Sequence, residues 1–534
     1  RDRSVSRGLG DVYKRQISND PKWESHYMDR IMRLYQRDKI RGNTSVIMWS
    51  LGNEAGGYHN TDAMYDYLKQ HSPLPVHYES AIHCKRQAYD VGSEMYPSVK
   101  MVHNVGEKRR KQARLNDRPY FMCEYAHAMG VGPGNTEAYW QEIYNYDNLM
   151  GGCVWEMVDH AVLHTDGSYT YGGDHGEWEH DRNFCVDGLF YPDRSPSTGA
   201  KLMRFIYRPI RVAHVSGGQF EVFNTTAFST GRYRLAFRWN DGSKTILTPQ
   251  TAPLTKETVT VPLGRAVDGL LAVIVETTDT VTGQIVSEEQ LVLAQEVAAA
   301  PAVKPLPGDV TVEKGRLVCR KSGVIVAAGA DEGTLLYRAP TDNDVDAMFH
   351  NLMVPYTRQT EETISTQQTA DGWQVVTKIT NKRGHYMVTD TYKGTDSGVL
   401  VTSVLHRVSG SQEIPRFGKT FRLDEVFDAV HYVGRSGESY CDMKDQFPIR
   451  AVDCTVADMT EPNLRPQESG NRMDCTVASV SDGKTCVVFE AVGRPFELGI
   501  KPYTDRALLS MKHRRDEVRT GTLSLIHISE PTRH

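Results

Sequence analysis

The chain has 534 residues, of which 39% are hydrophobic and 24% charged, with a formal net charge of -5. That length is too great for one compact core and implies about three domains at roughly 100 to 200 residues each. Charges of both signs are interspersed, giving no footprint for nucleic acid or an acidic membrane surface, and no apolar run approaches the ~20 residues needed to cross a bilayer. Nine cysteines, an odd number with no CxxC pair, argue against a disulfide framework or a zinc ribbon. The compartment stays open.

Residues 1–16 and 523–534 lack periodicity and are similar to translated cloning sequence, so they are set apart as a non-native leader and tail. From Asp20-Pro21, a cap and first helical residue, Met28, Ile31, Met32 and Tyr35 recur at helical spacing. SVIMWS (45–50) is a short apolar run, the pattern of a strand buried on both faces of a parallel sheet. VHYES (76–80), PYFMCEY (119–125) and GCVWEMV (152–158) read as further strands, with helices over 61–70 and 136–149. Strands alternating with helices define βα units over 17–208, as a doubly wound sheet or a barrel. Glu54 and Glu124 each lie just after an apolar strand, where the C-terminal rim of a barrel keeps its chemistry.

Beyond residue 208 the pattern changes to alternation, clearest in Tyr233, Leu235, Phe237 and Trp239 before the Asn-Asp-Gly turn at 240–242. A small β-sandwich is expected over 209–296, an Ala- and Pro-rich linker over 297–308 and a larger β domain over 309–522.

Cleaving a sugar–sugar bond with retention needs two carboxyls roughly 5 to 5.5 Å apart, one as acid/base and one as nucleophile. Among 67 acidic residues, two strand-end glutamates carry little weight by type alone. Their context adds to it: VIMWSLGNE (46–54) and PYFMCEYAHAMG (119–130) resemble, in order, the acid/base and nucleophile motifs of family 2 β-galactosidases. YRAPTDND (337–344), VGRSGESYCD (433–442) and PQESGNR (466–472) resemble segments of the large terminal β domain of the same enzymes, although each alone is also ordinary turn chemistry.

The resemblance implies the C-terminal part of a TIM (β/α)8 barrel, strands four to eight, then an immunoglobulin-like β-sandwich and a β-galactosidase-type terminal sandwich. It implies Glu54 as acid/base and Glu124 as nucleophile. Asn53 is expected at the sugar 2-hydroxyl, against a plain turn residue; Tyr96 in SEMYPS on the nucleophile, against a core tyrosine; His127 on the sugar, against a structural histidine; and Trp155 as a hydrophobic wall, against a core tryptophan. Mg²⁺ is expected with Glu54 as one ligand and its other ligands upstream of residue 1. Na⁺ is expected at DRNFCVDGLFYPDR (181–194), through the Phe184 carbonyl and the Asp187 side chain, where some relatives carry Asn. Further expectations are a β-galactoside substrate, a homo-oligomer at full length, and a fragment that is inactive and aggregates because three barrel strands are missing. A family 2 hydrolase for another β-linked sugar, or a carbohydrate-binding module without catalysis, remains the alternative.

Overall fold

The computed structural model describes residues 17–55, 58–79, 81, 84, 86, 88–110, 116–313, 315–319, 325–326, 333–345, 357–412, 414–517 and 522–529. Residues 1–16 and 530–534 of the expected leader and tail lie outside them. Two compact units emerge, residues up to 128 with 132–159, and residues 129–131 with 160 onward.

In the first unit, Asp20 accepts the Lys22 N–H at 3.0 Å and starts a 3-10 turn, Pro21–Trp23. Helix α1 (Glu24–Arg41) follows and stops at Gly42, whose φ of 61° lets its N–H reach the Asp38 carbonyl. Ile31 is buried, and Met28 and Tyr35 pack against the same cluster, as the helical spacing requires. The chain then runs β1 (Trp49–Ser50), α2 (His59–His71), β2 (Val76–His77), β3 (Gly92–Met95), α3 (Val99–Gly106), β4 (Tyr120–Tyr125), α4 (Thr136–Asn145) and β5 (Leu149–Val154). Strand β1 pairs parallel with β2, and β3, β4 and β5 form a second parallel sheet in that order.

Hydrogen bonds between side chains tie these strands together. The buried His77 ring lies between Ser50 Oγ, 2.9 Å from Nδ1, and Ser93 Oγ, 2.6 Å from Nε2. Ser93 in turn shares a hydrogen bond with the Cys123 thiol. The chain crosses β1, β2, β3 and β4.

Two expectations need correction. SVIMWS is not a strand buried on both faces: only Trp49–Ser50 is extended and Ile47 is 74% exposed, because among the described residues β1 has β2 as its sole strand neighbour. The last strand starts at Leu149, three residues earlier than expected, and leaves Trp155 beyond its end. The segment 160–208 groups with the second unit. Its Tyr171, Val186 and Tyr191 pack with Leu464, and Thr198 donates to Glu438 at 3.0 Å.

In the second unit, Ser197 caps helix α5 (Thr198–Ile206). The next strands form a three-stranded sheet (Ile210–Ser216, Gln219–Asn224, Lys256–Thr260) and a four-stranded sheet built on Tyr233–Trp239 and Leu270–Asp279. Phe220, Phe237, Trp239 and Val275 lie in the core they share. The 240–242 turn has Gly242 at φ 86°, a conformation glycine tolerates without strain. Residues 297–308 are largely irregular, with one bridge from Lys304 to Gly394.

The terminal β region is knit by the three polar motifs. Ala339 N–H donates to Glu468, Asp342 and Gln467 exchange hydrogen bonds at 2.7 and 3.0 Å, and Gly470 N–H donates to Glu438 at 2.7 Å. Beneath them Arg416 and Lys501 both pair with Glu468 and Asp505, all four being buried. The strand Thr522–Ser529 pairs with Phe417–Leu423 and Phe496–Lys501, which corrects the expectation that pattern ends at 522. Its residues include Leu523, Leu525, Ile526 and Ile528, a composition that suits a strand.

Two stability predictions follow from these buried groups. Burial pushes His77 down to about 4 from 6.5, so its neutral form stabilises the fold above pH 6.5 and that contribution, about 3 kcal/mol, is lost as pH falls through 4. Urea midpoints followed by circular dichroism should fall over that window and fall less in His77→Gln. Glu468→Ala leaves two buried cations facing one carboxylate and should cost about 3 to 5 kcal/mol in the same assay.

Candidate active site

In a parallel βα arrangement the strands' C-terminal ends face the loops that carry chemistry. The first unit places five side chains of interest there. Glu54 follows β1, Glu79 follows β2, Tyr96 follows β3, Glu124 lies near the end of β4 and Trp155 follows β5. Local backbone brings them about: Glu54 and Tyr96 have φ of 48° and 47°, left-handed conformations that non-glycine residues seldom adopt and that surrounding bonds must hold.

Glu124 is half-buried, and its environment is mixed. Burial raises its pKa above the ordinary carboxylate value, the Tyr96 hydroxyl lowers it by donating a hydrogen bond, the charges of Glu54 and Glu79 raise it, and His127 lowers it. The net direction is upward. Tyr96 is thus bonded to Glu124, and its backbone N–H also donates to the Glu124 carbonyl at 2.8 Å. His127 is half-buried with its ring centroid 6.1 Å from that of Tyr96. Trp155 is 38% exposed; its carbonyl accepts the Ala128 N–H at 2.7 Å, linking the end of β5 to the loop after β4. Asn53 is exposed in the turn before Glu54.

The first unit therefore brings Glu54, Glu124, Tyr96 and His127 into one electrostatic neighbourhood, with Trp155 on the adjoining strand end. Glu79 was missed in the sequence, although it obeys the rule that exposes the others. It is the second residue after His77, and its run, VHYES, was already read as a strand.

Among the described residues no three His, Cys, Asp or Glu side chains converge to hold a metal ion. Glu54 is the one expected Mg²⁺ ligand that this chain carries, and no step is routed through the ion. Phe184 and Asp187 lie in the second unit, where Phe184 N–H donates to the Asp181 carbonyl at 3.0 Å and the Asp187 side chain is buried.

The family model described as "Glycosyl hydrolases family 2, TIM barrel domain" matches residues 4–212, and the one described as "Beta galactosidase small chain" matches 313–529. Residues 4–212 are thus similar to the barrel domain of glycoside hydrolase family 2. The chain is 29% identical to a β-galactosidase of Priestia megaterium over 92% of this chain and 52% of the relative, and 28% identical to one of Actinobacillus pleuropneumoniae over 93% and 53%. A β-galactosidase of Pectobacterium atrosepticum is 40% identical over 34% of this chain and 18% of its own length. The chain spans about half the length of the first two relatives.

The Glu124 environment has a consequence for stability. A carboxyl whose pKa rises on folding adds stability below its unfolded pKa, and that contribution is lost as pH rises through the folded value. Glu124→Gln should therefore raise the thermal midpoint at pH 7 and lose that advantage near pH 4, as read by scanning calorimetry at the two pH values.

Proposed function

We propose that the complete protein is a retaining exo-β-galactosidase that hydrolyses terminal non-reducing β-D-galactose residues by double displacement. The observation that carries this reading is the meeting of two half-buried glutamates at strand ends, Glu54 and Glu124, close enough for one charge to raise the pKa of the other. The name shared by the relatives favours galactose as the sugar.

In the first step Glu124 attacks the anomeric carbon while Glu54 protonates the departing glycosidic oxygen, leaving a galactosyl ester on Glu124. In the second, Glu54, now a carboxylate, takes a proton from water as that water attacks the same carbon and releases Glu124. The Tyr96 hydroxyl stabilises the charged form of Glu124 and offsets part of the desolvation that opposes it. Asn53 bonds the sugar 2-hydroxyl, His127 contacts the sugar near its developing charge, and Trp155 offers an apolar face to the ring. Phe184, through its carbonyl, and Asp187, through its side chain, would hold Na⁺.

The test is the intact mass of the complete gene product after incubation with a 2-deoxy-2-fluoro-galactoside bearing a good leaving group. A slowly hydrolysed adduct on Glu124 is expected, and Glu124→Gln should abolish it and lower aryl galactoside turnover by at least ~10³-fold. A folded protein that forms no galactosyl adduct but is labelled by the glucuronide or mannoside analogue would transfer the reading to another β-linked sugar.

A further inference from the structure

Glu54 must present its carboxyl from a backbone with φ 48°, which is seldom populated without support. The backbone of Glu54 and its neighbour is held from two directions. On one side the Glu54 N–H donates to Glu79 Oε2 at 3.1 Å, a bond strengthened by the carboxylate's charge. On the other, the buried Ser18 hydroxyl donates to the carbonyl of the next residue, Ala55, at 2.7 Å. Asn19 secures the loop further on, its Oδ1 accepting the N–H groups of Tyr58 at 2.8 Å and His59 at 3.3 Å.

Glu79 is only 8% exposed, an expensive place for a carboxylate with no positioning task. It comes from the loop after β2, the strand beside β1, so its bond crosses between neighbouring strand ends. Ser18 and Asn19 come from the segment before α1. The two anchors belong to separate parts of the chain and flank the Glu54–Ala55 backbone, one at the N–H of Glu54 and one at the carbonyl of Ala55.

We infer that Glu79 is a positioning residue, whose carboxylate fixes the backbone of Glu54 so that the Glu54 side chain is aimed for proton transfer. The inference rests on Glu54 being the acid/base, and it predicts a defect confined to proton delivery. When the leaving group needs protonation, misaiming the acid slows bond cleavage; when the leaving group departs unaided, the same misaiming has little effect. A residue that merely supported folding would depress every substrate alike.

The experiment uses the complete gene product and its Glu79→Ala and Glu79→Gln variants, with two readouts. The first is kcat/KM across aryl β-galactosides of graded leaving-group acidity. Glu79→Ala should lose on the order of 10²-fold with the poorest leaving group and little with dinitrophenolate. Glu79→Gln, which keeps an acceptor oxygen, should recover most of the loss. The second readout is hydrogen exchange at the Glu54 amide by fragment-resolved mass spectrometry, which needs no turnover. Exchange should quicken at that amide in Glu79→Ala and return toward the wild-type rate in Glu79→Gln.

Uniform loss across the leaving groups, or unchanged exchange at Glu54, overturns the role of Glu79. If the wild-type protein turns over no glycoside, the functional reading fails by itself. The exchange measurement then still decides whether Glu79 holds the Glu54 backbone.

Discussion

A parallel strand with a single neighbour leaves half of its backbone ladder unused, and β1 and β2 are two residues long. What holds their ends in place is the run of side-chain hydrogen bonds through Ser50, His77, Ser93 and Cys123. Burial keeps the His77 ring neutral, so it can donate through one nitrogen and accept through the other. The strand ends that carry Glu54, Glu79, Tyr96 and Glu124 inherit their spacing from this relay. Precision at the rim is thus supplied mainly by side chains one to four residues further inside.

The second unit solves a similar problem with charge. Its turns are rich in Asp, Asn and Gly, which define no core by themselves, and they close over four buried ionic groups. Burial would push Glu468 upward, but Arg416 and Lys501 outweigh it and hold the carboxyl well below its usual range. Glu438, which among the described residues meets hydroxyls and the Gly470 N–H and no bonded cation, is pushed up to about 7 by burial and by Glu461, against that N–H and the charge of Arg472. One carboxylate is locked as an anion while another nearby titrates close to neutrality. The difference lies in the donors each meets.

Much of this was legible in the sequence. Helical spacing located α1 and α2, apolar runs located β2 and β4, and strict alternation located Tyr233–Trp239, because each pattern reflects a face that packing then buries. Trp155 was found by motif but assigned to a strand interior, since Gly151 and Gly152 weaken any propensity-based boundary. SVIMWS misled because a run of apolar residues cannot say how many neighbours its strand has. The relay was invisible for another reason: serine and histidine carry no periodic signature, and their partners lie 16 and 27 residues away. Glu79 was legible by the strand-end rule and passed over only for want of a motif around it.

The ionic cluster also bears on the order in which the molecule is made. Arg416 meets Asp505 across 89 residues of sequence, and the strand that holds Arg416's neighbours is finished before that partner is synthesised. On a ribosome adding about 5 to 20 residues each second, several seconds pass in which a cation destined for burial has no companion. The terminal region must therefore stay open, or be shielded by helper proteins, until the segment that carries Asp505 emerges, whereas the sequential βα units upstream can assemble from neighbours as each appears.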